Sequence, residues 1–184
     1  MRMNMDISWA RGGIKLLFSR FLKRGGFVPL VGFFLCSCVT YSPYAVPEAV
    51  GPPPGARSYG KQGFLQVYSS TAVVNDGGIQ YLPHTSYRIY STNGTFVKYV
   101  RNHTTPTDQR PEAVGLPVGN YSVTANSEGM GIVKVPVAIS GSQLTAVYLD
   151  RSQPKEAEGA DQKQLVRFPN GKVIGWRAQN PEAK

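Results

Sequence analysis

From Gly63 to Arg151 apolar and polar residues alternate in short runs, the period of strands with one face buried. Phe64-Leu65-Gln66-Val67-Tyr68-Ser69 puts Leu65 and Val67 on one face. Ser86-Tyr87-Arg88-Ile89-Tyr90-Ser91 alternates again, and Thr92-Asn93-Gly94-Thr95 joins it to Phe96-Val97-Lys98-Tyr99-Val100-Arg101. Asn-Gly between two such runs predicts a hairpin, because both residues tolerate positive φ. Ala113 to Leu116 and Asn120 to Asn126 follow, separated by Pro117-Val118-Gly119. Val133, Val135, Val137 and Ile139 recur at period 2, as do Thr145, Val147 and Leu149 after Ser140-Gly141-Ser142. About seven strands with turn signals every 8–12 residues is the spacing of a small all-β sandwich.

The flanks differ in texture. Residues 38–62 carry Pro43, Pro47, the Pro52-Pro53-Pro54 triplet and three glycines, so a disordered or polyproline-like stalk is expected there. Residues 152–164 are charged and Gln-rich and read as a linker. From 165 to 184, Leu165 to Phe168 and Lys172 to Arg177 flank Pro169-Asn170-Gly171 and predict a terminal hairpin, marginal unless it docks.

Residues 1–37 have another pattern again. Arg20, Lys23 and Arg24 precede the short apolar run from Phe27 to Leu35, the order of a secretory signal. That run is too short to span a bilayer, which takes about 20 apolar residues. The charge divides accordingly: of the net +9, six basic residues against Asp6 alone place +5 before Cys38. The remaining bases are scattered, which argues against a nucleic-acid partner, since phosphate binding needs clustered charge. Both cysteines, Cys36 and Cys38, lie at the end of the leader, so no disulfide framework is available to the domain.

Leu35-Cys36-Ser37-Cys38 resembles the bacterial lipobox, with an aliphatic residue three before the Cys and a small one just before it. Cys36 departs from the usual Ala, Ser or Thr. The resemblance implies cleavage after Ser37 and lipid attachment at Cys38, giving a membrane-anchored envelope lipoprotein. Val39 after that Cys departs from the inner-membrane retention signal and implies the outer membrane. The run Leu116-Pro117-Val118-Gly119-Asn120-Tyr121, with Tyr87 to Tyr90 before it and Val135 to Leu149 after it, resembles prealbumin-like (Ig-like) sandwiches. Carboxypeptidase regulatory-like, Cna-B-like and PEGA-like domains are of this kind. The resemblance covers residues 63–151 and implies a fold, with Gly119 supplying positive φ and Tyr121 packing under a corner.

Catalytic chemistry is not legible. His84 and His103 are each flanked by Thr in loop-like sequence, and a metal site assembled from them with Asp108 is a weaker reading than two solvated histidines. The carboxylates Asp76, Asp108, Glu112, Glu128 and Asp150 fall near turns, and Ser69 and Ser70 have no activating neighbours. No cofactor and no enzymatic activity are expected. The aromatic residues Tyr68, Tyr90, Tyr99, Tyr148 and Trp176 lie away from the aliphatic face, and Tyr90, Tyr99 and Trp176 are the candidates for stacking on a ligand. The expectation is a non-catalytic envelope module that binds envelope proteins or supports an assembly. The alternatives are a carbohydrate or peptidoglycan binder, and behind it a metal-dependent enzyme.

Overall fold

A computed structural model describes residues 42–55, 57–154 and 157–179. The expected leader over residues 1–37 and the expected lipid-attachment residue Cys38 lie outside the described residues.

The chain is all-β. Tyr44–Ala45 (β1) and Val50–Gly51 (β2) precede Gln62–Tyr68 (β3), the short hairpin Val74–Asp76 (β4) and Ile79–Tyr81 (β5), then Tyr87–Ser91 (β6) and Phe96–Val100 (β7). Ala113–Pro117 (β8), Gly119–Ser127 (β9), Gly131–Ile139 (β10) and Leu144–Tyr148 (β11) follow. Leu165–Arg167 (β12) and Val173–Arg177 (β13) end the described chain.

The large sheet runs β12-β13-β2-β10-β9-β6-β7, with β1 also on β10. A second sheet runs β11-β3-β8, and β4-β5 stands apart. Alternation explains the core. Val133, Val135, Val137 and Ile139 of β10 and Val123 and Ala125 of β9 join one apolar cluster with Leu65 and Val67 of β3 and Val147 of β11. Both sheets therefore bury their aliphatic faces in the same cluster, and that burial is the main force joining them. β9 and β10 form the longest ladder, from Gly131 opposite Ser127 to Ile139 opposite Gly119.

Between β8 and β9 the chain changes sheet. Pro117-Val118-Gly119 makes the crossing, and the Tyr121 hydroxyl donates to the Pro117 carbonyl at 3.0 Å, so Tyr121 does tie the corner.

Two expectations about the flanks need correction. The stalk expected over 38–62 is partly built into the large sheet: β1 and β2 pair parallel with β10, and Val50 is fully buried. Proline density hid this because only two residues at each place need ladder geometry, and every proline falls outside those pairs. Further along, Tyr59 and Gly141 bond through their backbones, and Ser58 Oγ accepts from Gly141 N at 2.9 Å. Gly141 permits the approach, since a Cβ there would lie 2.2 Å from the Tyr59 carbonyl oxygen.

The C-terminal hairpin docks. β13 pairs antiparallel with β2, and Val166, Phe168 and Ile174 enter the main cluster. Pro154 of the linker is buried, and Ala157 and Ala160 pack on a smaller cluster of Leu165, Val173 and Trp176.

Candidate functional site

The outer face of β6 and β7 gathers a cluster of aromatic residues. Tyr87 and Ile89 of β6 point into the core, which turns Arg88 and Tyr90 outward. Across the ladder Arg88 faces Tyr99 and Tyr90 faces Phe96. The Arg88 guanidinium carbon lies 5.8 Å from the centre of the Tyr99 ring, a cation–π distance. Tyr90 and Phe96 meet edge to face, with centroids 5.9 Å apart.

Phe96 and Tyr99 are three residues apart, so a regular strand would send them to opposite faces. A bulge prevents that. The register steps from Ile89–Lys98 to Tyr90–Phe96, leaving Val97 as the extra residue. Phe96 and Tyr99 are each more than half exposed. Arg88 and Tyr99 also border a shallow hollow of about 120 Å³ floored by β9 residues, with Ile132 of β10 on its rim.

Sequence reasoning selected Tyr90, Tyr99 and Trp176 for stacking, and the fold separates them. Tyr90 and Tyr99 share this face. Trp176 is only 8% exposed, covered by Ala157 and Ala160 in the hairpin's own cluster, and presents no stacking surface. Tyr68 and Tyr148 stack on each other at 4.7 Å as neighbours on β3 and β11. Arg88 and Phe96 were missed; the outward parity of Arg88 was visible in the sequence, but the bulge that turns Phe96 was not.

The histidines are not solvated loop residues, which corrects that expectation. His84 is buried, its Nδ1 donating to the Ser69 carbonyl at 2.7 Å, with the Tyr68 ring edge-on at 5.7 Å. His103 is half-buried and its Nδ1 donates to the His84 carbonyl at 3.1 Å. A carbonyl can only accept, so both rings carry the proton on Nδ1. Asp108 serves the loop instead. Its carboxylate accepts from the Arg110 and Thr104 amides, and those bonds hold its pKa below the ordinary carboxylate value. Among the described residues no group of three or more His, Cys, Asp or Glu side chains is arranged to hold a metal ion.

Beside these histidines, Asn102 is the hub of a buried polar network. Its Nδ2 donates to Val67 O at 2.9 Å and Ser69 Oγ at 3.0 Å, with Thr85 O at 3.3 Å. Its Oδ1 accepts from Glu112 N at 3.1 Å. Asn102 immediately follows Val100-Arg101, so this network fixes where β7 ends and where the loop to β8 begins. A cleft of about 580 Å³ lies at the opposite end of β9, between Pro52, Pro53, Val118, Asn120 and Gln179. Among the described residues no charged side chain lines it.

No protein-family model, curated protein or solved structure matches this chain.

Proposed function

We propose that the chain is a non-catalytic lipoprotein of the bacterial cell envelope whose small prealbumin-like β-sandwich works as a protein-interaction module. The observation that carries the interaction reading is the outward face of exposed Arg88, Phe96 and Tyr99 with half-buried Tyr90 at the open edge of the large sheet. Aromatic rings bring large apolar area on few rotatable bonds, tyrosine adds a polar handle and arginine a planar charged one, and tyrosine and arginine are enriched among the residues that carry interface energy. Two sheets closing on one aliphatic cluster, with a tyrosine tying the sheet-changing corner, support the sandwich. The order of basic, apolar and small residues ending in Leu35-Cys36-Ser37-Cys38 supports the anchor, and Val39 supports the outer membrane. Glycan binding is less favoured, because one of its three expected stacking residues, Trp176, is buried.

Two measurements test this reading. Mass analysis of the membrane-extracted protein should find a terminus at Cys38 carrying acyl mass that Cys38→Ala abolishes; an unmodified terminus removes the anchor. A photo-cross-linking residue at Tyr99 in intact cells should capture one reproducible protein that the same residue at Asn75 does not. Equal capture of random neighbours from both positions refutes the interaction module.

A further inference from the structure

Building on that interaction reading, we propose that the open edge of β7 takes an extended segment of a partner protein as an added strand, and that this segment alternates acidic and apolar residues. β7 is the terminal strand of the large sheet and, among the described residues, pairs only with β6. Its other edge offers main-chain donors and acceptors to any strand that comes alongside. Phe96, Val97, Lys98 and Tyr99 are all exposed.

The charged residues on the strands at this edge have one sign. β6, β7, β9 and β10 contain Arg88, Lys98 and Lys134 and no Asp or Glu, and Arg101 follows directly after β7. Glu112 stands beyond the strand, at the Asn102 end. Register gives these charges positions. Lys98 lies opposite Ile89, whose side chain points to the core, so Lys98 leans to the inner side of the sheet edge while Tyr99 leans to the outer side. An incoming strand would therefore meet a lysine on one face and aromatic rings on the other. Acidic residues on its first face and apolar residues on its second match that pattern.

The same features argue against a second copy of this chain. An antiparallel pairing of two β7 strands centred on Lys98 would set one Lys98 against the other, and like charges directly opposite are destabilising. The bulge at Val97 also breaks the ladder within the strand. A bulge and an inward-leaning lysine are how edge strands avoid indiscriminate pairing. Here they leave an edge selective for acidic strands.

The full chain, purified in detergent, can be titrated with a fluorescein-labelled ten-residue peptide of alternating valine and glutamate. Three comparison probes complete the set: the same peptide N-methylated at every amide, a valine–lysine peptide, and polygalacturonate. Saturable binding of the valine–glutamate peptide is expected, with slowed amide hydrogen exchange across Phe96–Val100 and no binding of the methylated peptide. Lys98→Glu should weaken that binding about tenfold and make the valine–lysine peptide the better ligand. Unchanged exchange at β10, in the core ladder, reports that this exposed substitution leaves the fold intact. Equal binding of the methylated peptide, or unchanged exchange at β7, overturns the strand addition. Preference for polygalacturonate also overturns it and makes the face a glycan platform. If the cross-linker at Tyr99 captures a partner while the peptide leaves β7 exchange unchanged, strand addition alone falls. If the peptide adds to β7 and no partner is captured in cells, the interaction reading loses its support.

Discussion

Replacing Asn102 separates two contributions that the structure combines at one residue. Asn102 is fully buried and has φ +65°, in the left-handed region. Its amide hydrogens serve Val67 O and Ser69 Oγ, with Thr85 O sharing at longer range, and its Oδ1 serves the Glu112 amide. Three good hydrogen bonds at roughly 1 kcal/mol net each give about 3 kcal/mol, more if the stranded partners stay dry. The left-handed backbone adds about 1 kcal/mol for alanine and almost nothing for glycine, which lacks the Cβ clash. Asn102→Ala should therefore cost about 4 kcal/mol and Asn102→Gly about 3 kcal/mol. Leaving only hydrophobic contact, Asn102→Leu should be at least as damaging as alanine. Urea unfolding followed by far-ultraviolet circular dichroism measures all three. Alanine as stable as wild type, or more stable than glycine, would refute the reasoning, because either result denies the network or the backbone strain.

Tyr87 is 1% exposed, and its hydroxyl finds no hydrogen-bond partner among the described residues. Tyr87→Phe should thus raise stability by up to about 1 kcal/mol at neutral pH, or leave it unchanged. Burial, helped by the negative charge of Glu112, pushes the phenol's pKa above its ordinary value. The neutral form is the one the fold favours, so its contribution is complete below about pH 10 and declines as pH rises past that value. The decline should be steeper in wild type than in Tyr87→Phe when urea midpoints are compared from pH 8 to 11; parallel curves would contradict it. A Cβ on Gly175 would lie 2.5 Å from a Val50 methyl and 2.9 Å from the Ala146 carbonyl oxygen. Gly175→Ala should therefore loosen the terminal hairpin at about 1–3 kcal/mol, seen as faster amide exchange in β12 and β13 with β9 unaffected. For Asp108, whose folded pKa is depressed, the loop's stabilisation is present above the ordinary carboxylate value and lost as pH falls through the lower one. Asp108→Ala should speed exchange of the Arg110 amide at neutral pH, while Asp108→Asn, which still offers an acceptor, should largely preserve it.

The strands were readable because period 2 is a local property. Leu65, Val67, Ile89, Val123, Val135 and Val147 announce their buried faces within runs of five or six residues, and the structure buries each of them. The corner at Pro117-Val118-Gly119 and the hairpins at Asn93-Gly94 and Asn170-Gly171 were equally local, since turn chemistry depends on the few residues that bend. Half of the aromatic face was legible in the same way, through the outward parity of Tyr90. What the sequence could not set was anything that depends on a partner far along the chain. Tyr44–Ala45 and Val50–Gly51, set among prolines, became sheet because β10 offered them an edge, and Trp176 was covered because Ala157 and Ala160 pack against its cluster. His84 and Asn102 look like loop residues until the ends of β3 and β7 converge on them. The Val97 bulge, which places Phe96 beside Tyr99, exists only in the register between two strands. Alternation determines which side of a strand is apolar; pairing across the sheet decides which residues that side meets, and therefore which aromatics remain exposed.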